Sequence, residues 1–331
     1  SIPVVYISGQ VKFETTIRSC PDLGLRQLGD QELNITDVVR SITKYTAFVE
    51  NPKAIRKELE EAYYHAFNGR PGPVWLDIPL NVQGAEINES SLPGFIPPTS
   101  GTPVAPEAEC GQILGMLQKA KRPVIIAGWG IRLSKAEPEL LELVSKARIP
   151  VLTTFNGFDL TPSDHPLFSG RIGTLGQRAG NFVLQNADLV ISIGSRNNIR
   201  QTGYNWESYC RKAKKVSVDI DPAELRKKNF VPDLAVCCDA KLFLSAFLKQ
   251  YEKNGRGDRE RWIQWCRERQ LKNPAYTKEH ECWSDRINPY HFMHILTEKM
   301  DPDMILAAGN GTACVALFQT GIPPISWMWP R

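Results

Sequence analysis

The sequence predicts an α/β fold with a doubly wound parallel sheet at its centre. Short, near-continuous apolar runs such as Pro123–Ala127 and Leu189–Ile193 read as strands buried on both faces. Stretches with apolar residues at helical spacing separate them. The two kinds of segment alternate along the chain, as they do when helices connect and cover parallel strands.

Pro3–Ser8 and Pro73–Ile78 are the first two predicted strands. Between them, Asn51–Phe67 places Ile55, Leu59, Ala62, Tyr63 and Ala66 on one helical stripe, with Pro52 in the first turn. Gly69-Arg70-Pro71-Gly72-Pro73 is a turn cluster that delivers the chain into the second strand. Asn88–Thr102 is rich in Ser, Pro and Gly without periodicity and reads as a domain linker. Strands are then predicted over Pro123–Ala127, Pro150–Thr153, Leu189–Ile193 and Val216–Ile220. Helices are predicted over Pro138–Lys146, Ala179–Gln185 and Ala240–Gln250. Tyr251–Arg269 is dense in mixed charge and carries Trp262, Trp265 and Cys266 on one side, the pattern of a surface helix with one packed stripe. A helix from Asn288 through Leu296 and a strand at Met304–Ala308 lead into Gly309-Asn310-Gly311.

At 331 residues the chain has room for one whole domain flanked by two partial ones. It opens inside a predicted strand and stops abruptly at Trp329-Pro330-Arg331, so it reads as the middle of a larger protein. A net charge of +4 is too weak a bias to indicate nucleic acid. No apolar run approaches the ~20 residues that cross a bilayer. The eight cysteines form no C-x-x-C pair and fit reduced thiols in a cytoplasmic protein.

Several motifs could carry chemistry. Gly128-Trp129-Gly130 follows a strand directly, where backbone N–H groups can approach a phosphate; a plain tight turn explains it equally well. Gly173, Thr174 and Gly176 form a second glycine loop. Gly194 ends a strand and is followed by Arg196 and Arg200, two guanidinium groups at an edge where open α/β sheets bind ligands. A surface arginine pair is the alternative. Asp219-Ile220-Asp221 ends another strand; its acids suit a ribose or an adenine amine, or cap the following turn. His291 and His294 share a helix face but lack further metal ligands, and packing explains them better.

Together these segments resemble the thiamine-diphosphate-dependent 2-oxoacid enzymes, most closely the large catalytic subunit of acetolactate (acetohydroxyacid) synthase. The resemblance rests on Ser1-Ile2-Pro3-Val4 with Ser8-Gly9-Gln10-Val11, on Gln31-Glu32, on Val39-Arg40-Ser41-Ile42-Thr43-Lys44, and on Gly69–Val74 with Asp77-Ile78-Pro79. It continues through Gly173 and Gly176, Gly194 and Arg196, Arg200-Gln201-Thr202-Gly203 and Asp219–Pro222.

The resemblance implies three domains: the later part of a pyrimidine-binding domain over 1–98, a complete Rossmann-like central domain over 103–250, and a linker with the start of a diphosphate-binding domain over 251–331. The flanking parts would be incomplete thiamine-diphosphate-binding folds. It implies FAD, in a structural role, at Arg70, Gly128, Gly130, Gly173, Thr174, Gly176, Gly194, Arg196, Arg200, Asp219, Ile220 and Asp239. It places Gln31 in the substrate pocket and Gly309, Asn310 and Gly311 against the diphosphate of thiamine diphosphate. The main catalytic glutamate and the Mg2+ ligands are expected outside this chain, so the chain alone is expected to be inactive.

The implied activity is decarboxylation of a 2-oxoacid such as pyruvate and transfer of the two-carbon unit to an acceptor carbonyl, in a homodimer or homotetramer. A thiamine-diphosphate-dependent decarboxylase and a non-catalytic nucleotide- or flavin-binding module are the alternatives. Departures from the family pattern fall at Arg26–Glu32, at Leu80 where a lysine is usual, and at Thr174-Leu175 where Met-His is usual. They leave the acceptor open.

Overall fold

The structure, a computed structural model, describes residues 1–99, 104–254, 257–282, 285–301, 304–322 and 326–327. The end of the predicted linker and the terminal Trp329-Pro330-Arg331 lie outside the described residues. The chain divides into two compact units, Ser1–Thr102 and Pro103–Arg331.

The first unit contains β1 (Val4–Gln10), α1 (Ile35–Val39), β2 (Tyr45–Phe48), α2 (Ile55–Phe67), β3 (Pro73–Pro79) and α3 (Leu80–Gln83). Its three strands are parallel in the order β1-β3-β2. Ala62 and Ala66 of α2 pack on Val74 and Leu76 of β3, whereas Leu59 and Tyr63, expected on the same stripe, are exposed. The Asn51 side chain accepts the Lys53 N–H and caps the turn that starts this helix. Asp77 is buried in the central strand and accepts Ser8 Oγ at 2.6 Å and Gln10 Nε2 at 3.0 Å. Buried polar groups need such partners, and this pair ties β1 to β3. Along the free edge, Val5, Tyr6 and Ile7 are exposed.

The second unit runs α4 (Glu107–Lys119), β4 (Pro123–Ala127), α5 (Gly130–Leu133), α6 (Glu137–Ala147), β5 (Val151–Thr153), β6 (Phe168–Arg171), α7 (Arg178–Asn186), β7 (Leu189–Ile193), α8 (Ile199–Thr202), β8 (Lys214–Asp219), β9 (Leu234–Cys237), α9 (Ala240–Asn254) and α10 (Glu260–Lys272). There follow α11 (Pro289–Lys299), β10 (Ile305–Leu306), α12 (Thr312–Thr320) and β11 (Ser326–Trp327). Six parallel strands form one sheet in the order β6-β5-β4-β7-β8-β9. The sequence order therefore reverses between β4 and β7, the arrangement of a doubly wound nucleotide-binding sheet.

Alternation along β4 shows why its sequence is apolar throughout. Ile125 and Ala127 face a core with Ile113, Leu140, Val144, Phe243 and Phe247. Val124 and Ile126 face the opposite core with Leu152, Val183, Leu184, Trp262 and Cys266. Each face of the sheet is covered, so each residue of the strand is buried.

The structure corrects the single helix expected over Tyr251–Arg269. Helix α9 runs to Asn254 and a separate helix, α10, begins at Glu260. The stripe on α10 is core: Trp262 and Cys266 are buried, and Trp262 Nε1 donates to the Pro123 carbonyl at 3.0 Å. Strands β2, β6 and β9 and helices α4 and α12 were not foreseen. The short strands have four residues each, too few to establish a period.

Candidate functional site

The carboxyl ends of β4 and β7 flank the point where strand order reverses, and ligands of open α/β sheets bind beside such a point. Here the two following loops meet backbone to backbone. Gly128 N–H donates to the Ile193 carbonyl and Gly130 N–H to the Gly194 carbonyl, both at 2.9 Å. A Cβ on Gly128 would lie 2.2 Å from Ser195 Cα, and Gly194 has φ of +57°, so side chains are excluded from this crossing. These glycines let the loops touch, and both N–H groups are taken up by protein carbonyls.

Beyond the crossing the chain turns outward. Arg196 and Asn197 are non-glycine residues with φ of +60° and +43°. Their conformation is held from below and from the side. The Asn197 side chain is buried and bonds Ser192 Oγ at 3.1 Å, Ser195 Oγ at 2.8 Å and Gln201 Nε2 at 2.9 Å. Asn229 donates to the Asn197 carbonyl, and Lys227 Nζ to the Arg196 carbonyl. The Arg196 guanidinium reaches solvent and pairs with Glu224 at 2.9 Å; the Glu224 carboxylate also meets Lys227 at 2.6 Å.

Arg200, exposed on α8, lays its guanidinium 5.3 Å above the Phe155 ring. Its carbonyl accepts both Thr174 N–H and Thr174 Oγ1 at 2.9 Å. This docks the Gly173–Gly176 loop on α8. Gly173 N–H in turn donates to Asn181 Oδ1, and Gly176 N–H to the Gly173 carbonyl. Arg196, Arg200 and the loop thus lie around the same carboxyl edge. Two exposed guanidinium groups there form a donor set suited to a diphosphate.

On the neighbouring strand, Asp219 Oδ1 accepts Asp221 N–H at 3.0 Å, and Asp221 Oδ1 accepts Ala223 N–H at 2.9 Å. Ile220 between them is exposed. Asp239 caps α9 by accepting the N–H groups of Lys241 and Leu242. Capping therefore engages Asp221 and Asp239, whichever further ligand they meet.

Arg70 and Gln31 belong to the first unit. Arg70 Nε donates to Ser1 Oγ at 2.9 Å, and its carbonyl accepts Lys44 Nζ. Gln31 is exposed, whereas its neighbour Glu32 is buried. The Glu32 carboxylate accepts N–H from Ile17 at 2.6 Å, Leu28 at 2.8 Å and Gly29 at 3.3 Å. Burial raises the Glu32 pKa, but these three donors outweigh it and hold the carboxyl below its usual value. The loop carrying Gln31 is thereby fixed.

Gly309, Asn310 and Gly311 are exposed and open α12, with Gly311 at the N-cap and φ of +108°. A Cβ at Gly309 or Gly311 would meet nothing within 4 Å, so a ligand can approach this backbone closely. His291 and His294 pack around Tyr276: its ring stacks on His294 at 3.9 Å and its hydroxyl meets His291 Nδ1 at 2.5 Å. Among the described residues there is no group of three or more His, Cys, Asp or Glu placed to hold a metal ion. Nor is any described helix long and apolar enough to cross a membrane.

Sequence reasoning missed Asn197, Glu224 and Lys227. Asn197 carried the best signal, an asparagine just past a strand-ending glycine, where left-handed backbone favours it. The partners Glu224 and Lys227 come from a distant loop and leave no local trace.

Residues 110–247 match the family described as thiamine pyrophosphate enzyme, central domain. The probable acetolactate synthase large subunit of Methanocaldococcus jannaschii is 34% identical, over 80% of this chain and 44% of its own length. The acetolactate synthase large subunit of Corynebacterium glutamicum is 33% identical over 94% of this chain and 48% of its own. Acetolactate synthase 1, chloroplastic, of Oryza sativa subsp. japonica is 32% identical over 99% of this chain and 50% of its own. The chain spans about half the length of the curated relatives it matches.

Proposed function

This chain is a relative of the acetolactate synthase large subunits and carries the central domain of the thiamine pyrophosphate enzymes, and from that premise we propose that the whole protein is a thiamine-diphosphate-dependent carboligase. It decarboxylates a 2-oxoacid, with pyruvate the first candidate, and passes the two-carbon unit to an acceptor carbonyl. The observation that carries this reading is similarity to acetolactate synthases along 94% to 99% of the chain.

Within that activity the central sheet edge is a nucleotide site, with FAD as the proposed occupant. Arg196 and Arg200 neutralise its pyrophosphate, the Gly173–Gly176 loop lies along it, and Asp219 accepts from its hydroxyl or amine groups. Asp239, which follows β9, lies near the same edge. Gly309, Asn310 and Gly311 lie against the diphosphate of the second cofactor, whose oxygens would replace Asn310 Oδ1 as acceptor of the Gly311 N–H. Gln31 stands in the substrate pocket. Bound thiamine diphosphate supplies the carbon nucleophile and the electron sink that decarboxylation needs. The subunits pair as a homodimer or homotetramer.

The test is direct. The whole protein, given pyruvate, thiamine diphosphate, Mg2+ and FAD, is assayed for carbon dioxide and for acetolactate, and its absorbance is scanned for bound flavin. Acetolactate with a yellow chromophore supports the proposal. Carbon dioxide with free aldehyde indicates the decarboxylase instead. No turnover of any 2-oxoacid in a panel overturns both.

A further inference from the structure

Helix α12 is fastened at its C-terminal end, and the fastening comes from the segment that also builds the nucleotide edge. Arg171, the last residue of β6, has a side chain buried in the second unit. Its Nη1 donates to the Phe318 carbonyl at 2.6 Å and its Nη2 to the Gly321 carbonyl at 2.7 Å. Nη2 also reaches Ser163 Oγ at 3.2 Å, and the guanidinium lies 4.9 Å above the Phe158 ring. The last carbonyls of a helix lack intrahelical partners and carry its negative pole, so a buried guanidinium is well matched to them.

Two glutamines double the connection. Gln177 Nε2 donates to the Gln319 carbonyl at 2.8 Å, and Gln319 Nε2 donates to the Leu175 carbonyl at 2.9 Å. Gln177 Oε1 also accepts Arg171 N–H, which braces the segment internally. The Phe318 ring packs 4.6 Å from Phe155, the same ring that lies under the Arg200 guanidinium. Thus residues 171–177 have two attachments: Thr174 to the Arg200 carbonyl on one side, and Arg171, Leu175 and Gln177 to α12 on the other.

We propose that Arg171 is a positioning residue that couples the two cofactor sites, so that a nucleotide bound at Arg196 and Arg200 strengthens diphosphate binding at Gly309-Asn310-Gly311. The inference rests on the assignment of those two sites above. A nine-residue helix is a rod of about 13 Å, so fixing its C-terminal end restricts where its N-terminal glycines sit. Order imposed on the 171–177 segment by the nucleotide is passed to α12 through Arg171. Linkage makes the effect reciprocal.

The experiment measures binding, independent of turnover, in the whole protein. The dissociation constant of thiamine diphosphate, with Mg2+ present, is measured with and without FAD, and that of FAD with and without thiamine diphosphate. FAD is expected to tighten thiamine diphosphate about fivefold or more, and the converse by the same factor. In Arg171→Met each cofactor still binds, but the mutual effect falls below about twofold; Arg171→Lys, which keeps a charge, retains part of it. Hydrogen exchange of the 312–320 amides slows on adding FAD in the parent protein and does not in Arg171→Met. If Arg171→Met does not fold, Arg171→Lys carries the test, since one ammonium cannot reproduce both carbonyl contacts and the mutual effect must fall clearly below that of the parent protein. Binding of both cofactors without mutual effect, or coupling that survives in these variants, overturns the proposal and leaves the assigned sites standing. If neither cofactor binds the parent protein, the site assignment itself fails, and the coupling with it.

Discussion

Gly130 and Gly194 touch through their backbones: a Cβ built on either would lie 2.7 Å from the other's Cα. Nothing flexible is present to give way, so a methyl group must push the β4 and β7 loops apart. Gly130→Ala is expected to destabilise the second unit by ~1–3 kcal/mol, the usual range for overpacking. The same variant should weaken FAD binding by displacing Arg196. A shift in the urea midpoint of unfolding checks the first effect and a flavin titration the second. An unchanged midpoint would show that the loops can separate freely.

Glu224 and a bound pyrophosphate would compete for the Arg196 guanidinium. Arg196→Ala should therefore weaken FAD by about 10- to 150-fold, the equivalent of the 1.5–3 kcal/mol typical of hydrogen bonds to charged groups. Glu224→Gln should tighten FAD, because it leaves the guanidinium less neutralised while keeping its shape. Equilibrium titration of flavin fluorescence reads both. Equal affinity in all three proteins would place the pyrophosphate elsewhere.

Glu32 gives the first unit a defined acid sensitivity. Its carboxyl pKa is lowered in the folded chain by backbone N–H donors, against the opposing effect of burial. A group with a depressed folded pKa contributes stability above its unfolded value, and that stability is lost as pH falls through the folded value. The contribution should be complete near neutrality and begin to fade around the ordinary glutamate value of 4.5. Glu32→Gln should cost ~1–3 kcal/mol at pH 7, the penalty of replacing a buried acceptor that serves three donors. The difference between the two proteins should shrink as the pH is lowered. Urea unfolding at a series of pH values, followed by a probe in the first unit, measures it.

Thiol labelling separates the cysteines by burial. All eight are free, with Cys237 and Cys282 exposed, Cys20 half-buried, and Cys110, Cys210, Cys238, Cys266 and Cys314 buried. Burial pushes the Cys110 and Cys266 thiols up to about 12 and the Cys238 thiol to about 11, so they are neutral and unreactive in the fold. Alkylation of the native protein at pH 8 should modify Cys237 and Cys282 first, as read by mass spectrometry. Rapid labelling of Cys110 or Cys266 would contradict the packing of α4 and α10.

The sequence revealed most where one local rule decided the outcome. Pro123–Ala127 and Leu189–Ile193 are strands at the predicted bounds, because covering both faces of a sheet leaves an unbroken apolar run. Helix α2 followed from a proline in its first turn and apolar residues at helical spacing, while the Asn51 cap emerged only in the structure. What stayed hidden depends on partners far along the chain. The Phe168–Arg171 strand holds a glycine and an arginine: Gly170, at φ of +111°, lets Gly180 approach, and Arg171 is buried against the end of α12. Likewise, the glycines at 128 and 130 were legible as special positions, but the purpose that crowds them, contact with Gly194 and Ser195, was not. The arginines of the candidate site could be read off the strand end; the Asn197, Glu224 and Lys227 scaffold around Arg196 could not.

The outer strand of the first unit has a practical consequence. Val4–Gln10 contains no lysine, proline or acid, and its outward hydrogen-bonding groups have no neighbouring strand in the described sheet. Proteins usually protect such margins with charge or a kink. In a chain of these 331 residues alone, this ribbon can recruit like ribbons, so concentrated preparations of that piece should cloud from here first. An Ile7→Lys change is the simplest remedy, because it adds a repelling charge at a position already facing water.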